Sequence, residues 1–155
     1  MSFSALNPRV RDSADMLRGQ FAAAQPFRHI VVDDLLDEEL LRDLTREFPS
    51  FDAKNAVNEF GEVGGKAVVD DLLCLGPGFA RFDTLMADPD FLHWLSIVAG
   101  IPNLLYDIEY VGGGTHENRA GQSLDAHVDF NFHTNGIWHR RLNLILFLND
   151  RWEPD

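Results

Sequence analysis

The chain has 155 residues, a length that suits one domain and allows a core to form without disulfide staples. Its 25 acidic and 13 basic residues give a net charge of −12, which disfavours nonspecific binding to nucleic acid or to an anionic membrane. One cysteine excludes an intramolecular disulfide, and no apolar run reaches the roughly 18 residues of a membrane helix, so we expect a cytoplasmic protein.

The first hundred residues are predicted to be mainly helical. Residues 1–10 are expected to form a loose arm, and residues 27–32 a short strand. Apolar residues at helical spacing predict helices over 13–24, 38–48 and 79–86, and a fourth that begins after Asp88-Pro89 and ends at Gly100. Asp37 is the predicted N-cap of the second helix, and a short strand is expected near residues 67–69.

After Pro102 the pattern changes to alternation, which is typical of strands. Residues 104–111 predict a strand, Gly112-Gly113-Gly114 breaks it, and a polar loop follows to about residue 123. Residues 124–132 predict a short strand and turn, and residues 140–149 alternate most clearly. We therefore expect one α+β domain over 1–155, with helices over 1–102 and an antiparallel β region over 103–155.

The triplet His127-Val128-Asp129 carries the chemistry of greatest interest. In a strand, residues i and i+2 project from the same face, so this imidazole and this carboxylate converge on one point. Two histidines and one carboxylate on one face of a metal ion form the site of non-haem Fe(II) oxygenases. The triplet alone also fits a surface strand with two polar residues.

The surrounding sequence narrows this choice. The stretch 110–114, the segment 124–131 around the triplet, and the segment 140–149 followed by Trp152 together resemble the 2-oxoglutarate/Fe(II)-dependent oxygenases. The nearest likeness is to the prolyl-4-hydroxylase-like branch. It is strong over residues 106–152 and looser over residues 27–47.

The resemblance implies a fold and a reaction. The fold would be a double-stranded β-helix, or jelly-roll, with helices packed on its outside and with the barrel incomplete in this chain. His127 and Asp129 would be the first two Fe(II) ligands, and Asn143 and Phe147 would line the 2-oxoglutarate pocket. Tyr110 is a second candidate for binding the co-substrate carboxylate. The implied activity is hydroxylation of a C–H bond in an amino-acid, peptidyl or small-molecule substrate.

Three further residues are candidates for substrate contact. His116, in the glycine-rich loop, is placed to approach a substrate. Arg141 is placed either to hold an acidic substrate or to pair with a nearby carboxylate. Asn131 belongs either near the metal or to a turn. We expect no nucleic-acid or membrane partner, and a homo-oligomer or a second, completing chain stays open.

The sequence departs from the family in one respect. The distal histidine ligand and the Arg or Lys that anchors 2-oxoglutarate are missing, since no histidine follows His139. His133 and His139 lie too close to Asp129 to match the distal ligand and are predicted to be loop or rim residues. Three explanations compete: a fragment of a longer protein, which we favour, a barrel completed by a second chain, or a remnant that has lost catalysis.

Two other functions remain as alternatives. A non-catalytic, cupin-like binding module would produce no succinate from 2-oxoglutarate. An interaction protein built on the helices would retain folding and binding in residues 1–100 alone.

Overall fold

The computed structural model describes residues 2–56, 65–118 and 128–149, and within these ranges the fold is α+β. It contains helices and one small antiparallel sheet. The α-helices are α1 (Pro8–Arg11), α2 (Ala14–Ala23), α3 (Glu38–Glu47), α4 (Pro77–Met86) and α5 (Pro89–Ala99), and the strands are β1 (Lys66–Val69) and β2 (Thr115–Asn118). Short 3-10 helices occupy Ser2–Ala5, Ala53–Ala56 and Leu72–Cys74. None of the helices in the described ranges has the length and apolar character that a membrane crossing needs.

Local capping explains where the longer helices begin and end. The Asp37 carboxylate accepts the Leu40 N–H at 2.7 Å and starts α3, as predicted. Asp88 accepts two backbone N–H groups of α5, and Pro89 occupies the first helical position. Gly100 ends α5 in the left-handed conformation, with φ of 64°. The predicted boundaries of these two helices are confirmed.

The core lies where α2 packs on α5 and α3 packs on α4. Its largest fully buried side chains are Leu6, Leu40, Leu44, Leu85 and Phe91. Leu6 also forms an isolated antiparallel bridge with Leu36, so the prediction of a loose N-terminal arm is wrong. The arm is ordered because it contributes fully buried apolar area to the core.

The sheet joins two distant parts of the chain. Lys66 of β1 pairs with Asn118 of β2, and Val69 pairs with Thr115. Strand β1 agrees with the prediction. Strand β2 lies within the segment predicted to be a polar loop, because its sequence Thr-His-Glu-Asn has no apolar alternation to indicate a strand. At Gly114, where φ is 105°, a Cβ atom would lie 2.4 Å from the Val69 carbonyl oxygen. Only glycine permits this close approach of the two strands.

The predicted strands at 27–32 and 104–111 do not form. In the first segment, Phe27 and Val31 are largely exposed. In the second, the Asp107 carboxylate accepts the backbone N–H groups of Glu109 and Val111, both at 3.0 Å. Such local side-chain bonds compete with the hydrogen bonds of a sheet, and they fold this segment into a turn.

No strand forms over residues 140–149 either, and the predicted alternation appears in their burial only in part, since Leu144 is 40% exposed. Leu146 and Leu148 pack against the helical core, while Ile145 and Phe147 are 64% and 73% exposed. A strand requires backbone hydrogen bonds to a neighbour, and none of the described residues supplies a partner strand here. The structure thus shows the α+β class, while the jelly-roll stays a prediction.

Candidate functional site

The structure describes only one of the two predicted iron ligands, Asp129. His127 lies outside the described residues. Asp129 has a half-exposed side chain, and its Oδ2 atom lies 3.3 Å from Nη1 of Arg140. The Arg140 guanidinium also sits over the Phe130 ring, 4.8 Å from its centroid. The Asp129 carboxylate is therefore accessible, and a guanidinium is its neighbour.

Asn131 and Arg141 lie at the base of a short hairpin. The Arg140 N–H donates to the Asn131 carbonyl at 2.9 Å, and the His133 N–H donates to the Trp138 carbonyl at 2.8 Å. Gly136, with φ of 71°, lies in the turn. Asn131 and Arg141 are both exposed next to Asp129 and Arg140. This geometry places Asn131 at the end of a turn, and its predicted substrate role stays a prediction.

The two co-substrate candidates of the last described segment point away from the helices. Asn143 and Phe147 are exposed, on the side opposite Leu146 and Leu148. Leu144, which the alternation predicts to be covered, is exposed as well, so the predicted common face of Asn143 and Phe147 stays a prediction.

Tyr110 belongs to a hydrogen-bonded network instead of standing free. Its hydroxyl donates to Oδ1 of Asp83 at 3.1 Å, and the Tyr106 hydroxyl donates to the same oxygen. Burial, followed by the bond to Asp83, raises the pKa of Tyr106 to about 12. Burial, followed by the contact with Tyr106, also raises the pKa of Tyr110. Both phenols therefore remain protonated at neutral pH, and the Tyr110 proton is already directed at a carboxylate.

His116 lies on β2, opposite Val68 of β1, and is exposed. Partial desolvation of its ring and then the charge of Lys66 lower the pKa of His116. The charge of Arg140 contributes in the same direction. His116 is therefore neutral at pH 7, and it lies within electrostatic range of the guanidinium that pairs with Asp129.

The structure also assembles a cluster that the sequence did not predict, formed by Asp107, Glu109 and His133. Nε2 of His133 lies 3.4 Å from Oδ1 of Asp107 and 3.6 Å from Oε2 of Glu109. One ligand atom from each residue falls within 4.8 Å of the others. The Asp107-Ile108-Glu109 spacing was an available signal, because it repeats the i, i+2 arrangement of the His127–Asp129 pair. His133 was predicted to be a loop or rim residue, yet its side chain is only 10% exposed.

Comparisons of the chain with protein-family models, with curated proteins and with solved structures gave no match. The features of the molecule that point to a function are the His127-Val128-Asp129 triplet, the exposed residues Asn143 and Phe147, and the unpredicted cluster of Asp107, Glu109 and His133.

Proposed function

We propose that this chain supplies the first two iron ligands of an Fe(II)- and 2-oxoglutarate-dependent dioxygenase that hydroxylates a C–H bond. The carrying observation is the His127-Val128-Asp129 triplet within the longer pattern over residues 106–152. The substrate class is an amino acid, a peptidyl residue or a small molecule. In this proposal the third ligand and the anchor for 2-oxoglutarate come from outside the residues of this chain.

The packing of residues 141–149 supports a jelly-roll around that site. Leu146 and Leu148 contact the helical core, while Asn143 and Phe147 face away from it. A jelly-roll with helices on its outside needs a strand with one face on the helices and the other facing the barrel interior, and this segment would become that strand once a partner strand pairs with it. The face carrying Asn143 would then be the pocket face.

The donor chemistry of the pair fits iron. Imidazole and carboxylate are suitable ligands for Fe(II), and the Asp129 carboxylate is half exposed. Its ion pair with Arg140 must yield when a cation binds. The pair is partly exposed, with 23% of the Arg140 side chain and 50% of the Asp129 side chain accessible. Ion pairs near the surface contribute only about 0–1 kcal/mol, so that replacement costs little.

The roles of the residues follow from these positions. His127 and Asp129 would hold the iron, which when bound would supply the centre at which O2 oxidises 2-oxoglutarate to succinate and CO2 and converts the substrate C–H to C–OH. Arg140 would release the Asp129 carboxylate, which it contacts at 3.3 Å, when the iron binds. Asn143 would offer its amide to the co-substrate, since Phe147 has no polar group.

Anaerobic titration with Fe(II) tests the proposal. We expect His127→Ala and Asp129→Ala each to weaken iron binding by about tenfold or more, because each removes a direct ligand. Val128→Ala is the matched control, since Val128 lies between them and its side chain is 91% exposed. All variants are made in the Glu109→Gln background, so that the acidic cluster does not contribute.

One result would contradict this proposal: unchanged Fe(II) affinity in both ligand variants.

A further inference from the structure

We propose that Asp107, Glu109 and His133 form a second metal site, distinct from the His127–Asp129 pair, for a divalent transition-metal cation such as Zn2+. The decisive group is the His133 imidazole. Its side chain is nine-tenths buried, and among the described residues its Nε2 atom has no hydrogen-bond partner. That atom faces the Asp107 and Glu109 carboxylates. A buried polar atom without a partner is costly, and a cation shared with two carboxylates would satisfy it.

The distances from His133 Nε2 to the two carboxylates fit atoms that bind one metal ion better than they fit a hydrogen bond. An N–H···O hydrogen bond normally spans about 2.7–3.2 Å. Two ligand atoms each about 2.0–2.1 Å from a tetrahedral zinc ion are about 3.3–3.4 Å apart. The Nε2 atom of His133 lies 3.4 Å from Asp107 and 3.6 Å from Glu109, which is close to the second geometry. One imidazole and two carboxylates are a zinc-type donor set that leaves a fourth position open.

The scaffold holds two of the three ligands in place. Backbone N–H groups of Glu109 and Val111 fix the Asp107 carboxylate, each at 3.0 Å. The hairpin bond between His133 N–H and the Trp138 carbonyl fixes the imidazole, and the Trp138 ring lies 5.3 Å from it. Glu109 is 66% exposed and is therefore free to close onto a cation.

The surrounding charge favours a cation. A cleft of about 320 Å³ beside the cluster is lined by Asp70, Asp71, Asp83 and Glu109, among other residues. Acidic walls of this kind raise the local concentration of cations. The net charge of −12 acts in the same direction.

The ring proton of His133 gives the proposal an internal check. Nδ1 of His133 accepts the Asn135 N–H at 3.2 Å, so in the metal-free protein the ring proton is assigned to Nε2. Metal binding at Nε2 moves that proton to Nδ1 and ends the Asn135 contact. This contact is at the long end of the hydrogen-bond range, so its loss is a small cost. The backbone amide resonance of Asn135 should therefore shift when the metal binds.

The test is calorimetric titration of the full chain with Zn2+, with 1H–15N spectra recorded in parallel. We expect saturable binding at one site, with about tenfold or greater loss in Glu109→Gln and in His133→Ala. The Asn135 amide resonance should move on saturation of the wild type and stay in place in Glu109→Gln. His139→Ala is the matched control and should bind normally, since His139 lies in the same hairpin but contacts the Phe132 ring.

The variants also separate this site from the iron site. Asp129→Asn should leave Zn2+ binding at this cluster unchanged, whatever it does to Fe(II). Glu109→Gln removes an exposed carboxylate and should keep the fold, so it decides the question if His133→Ala fails to fold. Wild-type affinity in Glu109→Gln, no saturable binding, or loss of binding in Asp129→Asn instead would overturn the proposal.

Discussion

Replacing Asp83 by alanine tests how the segment 106–110, which carries two of the cluster ligands, is anchored to α4. One carboxylate oxygen of Asp83 accepts the hydroxyls of both Tyr106 and Tyr110, the latter at 3.1 Å. A hydrogen bond to a charged group contributes about 1.5–3 kcal/mol, and bonds that share one acceptor do not add fully. We expect Asp83→Ala to lower the free energy of unfolding by about 3 kcal/mol. For a chain of this length that is a fall of about 6–12 °C in Tm.

Thermal and urea unfolding followed by circular dichroism provide the measurement. Asp83→Asn keeps an acceptor oxygen and should lose roughly half as much. Asp71→Asn is the matched control, because Asp71 lines the same cleft but is exposed and makes no capping bond. It should change stability by less than about 0.5 kcal/mol. If Asp83→Ala is as stable as Asp71→Asn, the two phenol bonds do not anchor the segment and the reasoning fails.

Three further perturbations test the fold. Glu47→Ala removes the nearly buried carboxylate that accepts N–H groups at the start of α4, where the shorter bond is 2.7 Å. It should lower the free energy of unfolding, measured in urea, by about 2 kcal/mol. An unchanged unfolding midpoint would show that water caps the helix equally well. Gly114→Ala places a Cβ 2.4 Å from a β1 carbonyl oxygen and should speed amide exchange throughout β1. Gly19→Ala, in open space on α2, should instead stabilise the protein by about 0.5–1 kcal/mol. Equal rates of β1 amide exchange in the two variants would contradict the close approach. Stability should also fall as pH rises from about 10 towards 12, because burial first and the Asp83 bond second raise the folded-state pKa of Tyr106, and burial first also raises that of Tyr110. That contribution is complete below the ordinary tyrosine pKa and is lost on ionisation, so Tyr106→Phe should flatten the alkaline fall.

The sequence predicted the helices well because their signals are local. The Asp37 cap, the Pro89 start and the Gly100 stop each act within one turn of the residue that carries them. The prediction of β1 also agreed with the structure. Predictions that needed a distant partner did worse, as the missing strand over 104–111 shows, where Asp107 satisfies the backbone locally.

Of the candidate site, the sequence alone determined that an imidazole and a carboxylate stand two positions apart at His127 and Asp129, and that leucine recurs at every second position over 142–148, because both depend only on residue type and spacing. The tertiary structure decided what those patterns meet: the Arg140 guanidinium beside Asp129, and the helical core beneath Leu146 and Leu148. Only the tertiary structure brought His133 next to Asp107 and Glu109. A contact between segments far apart in the chain depends on how the hairpin and the turn pack together, and no local periodicity encodes that packing.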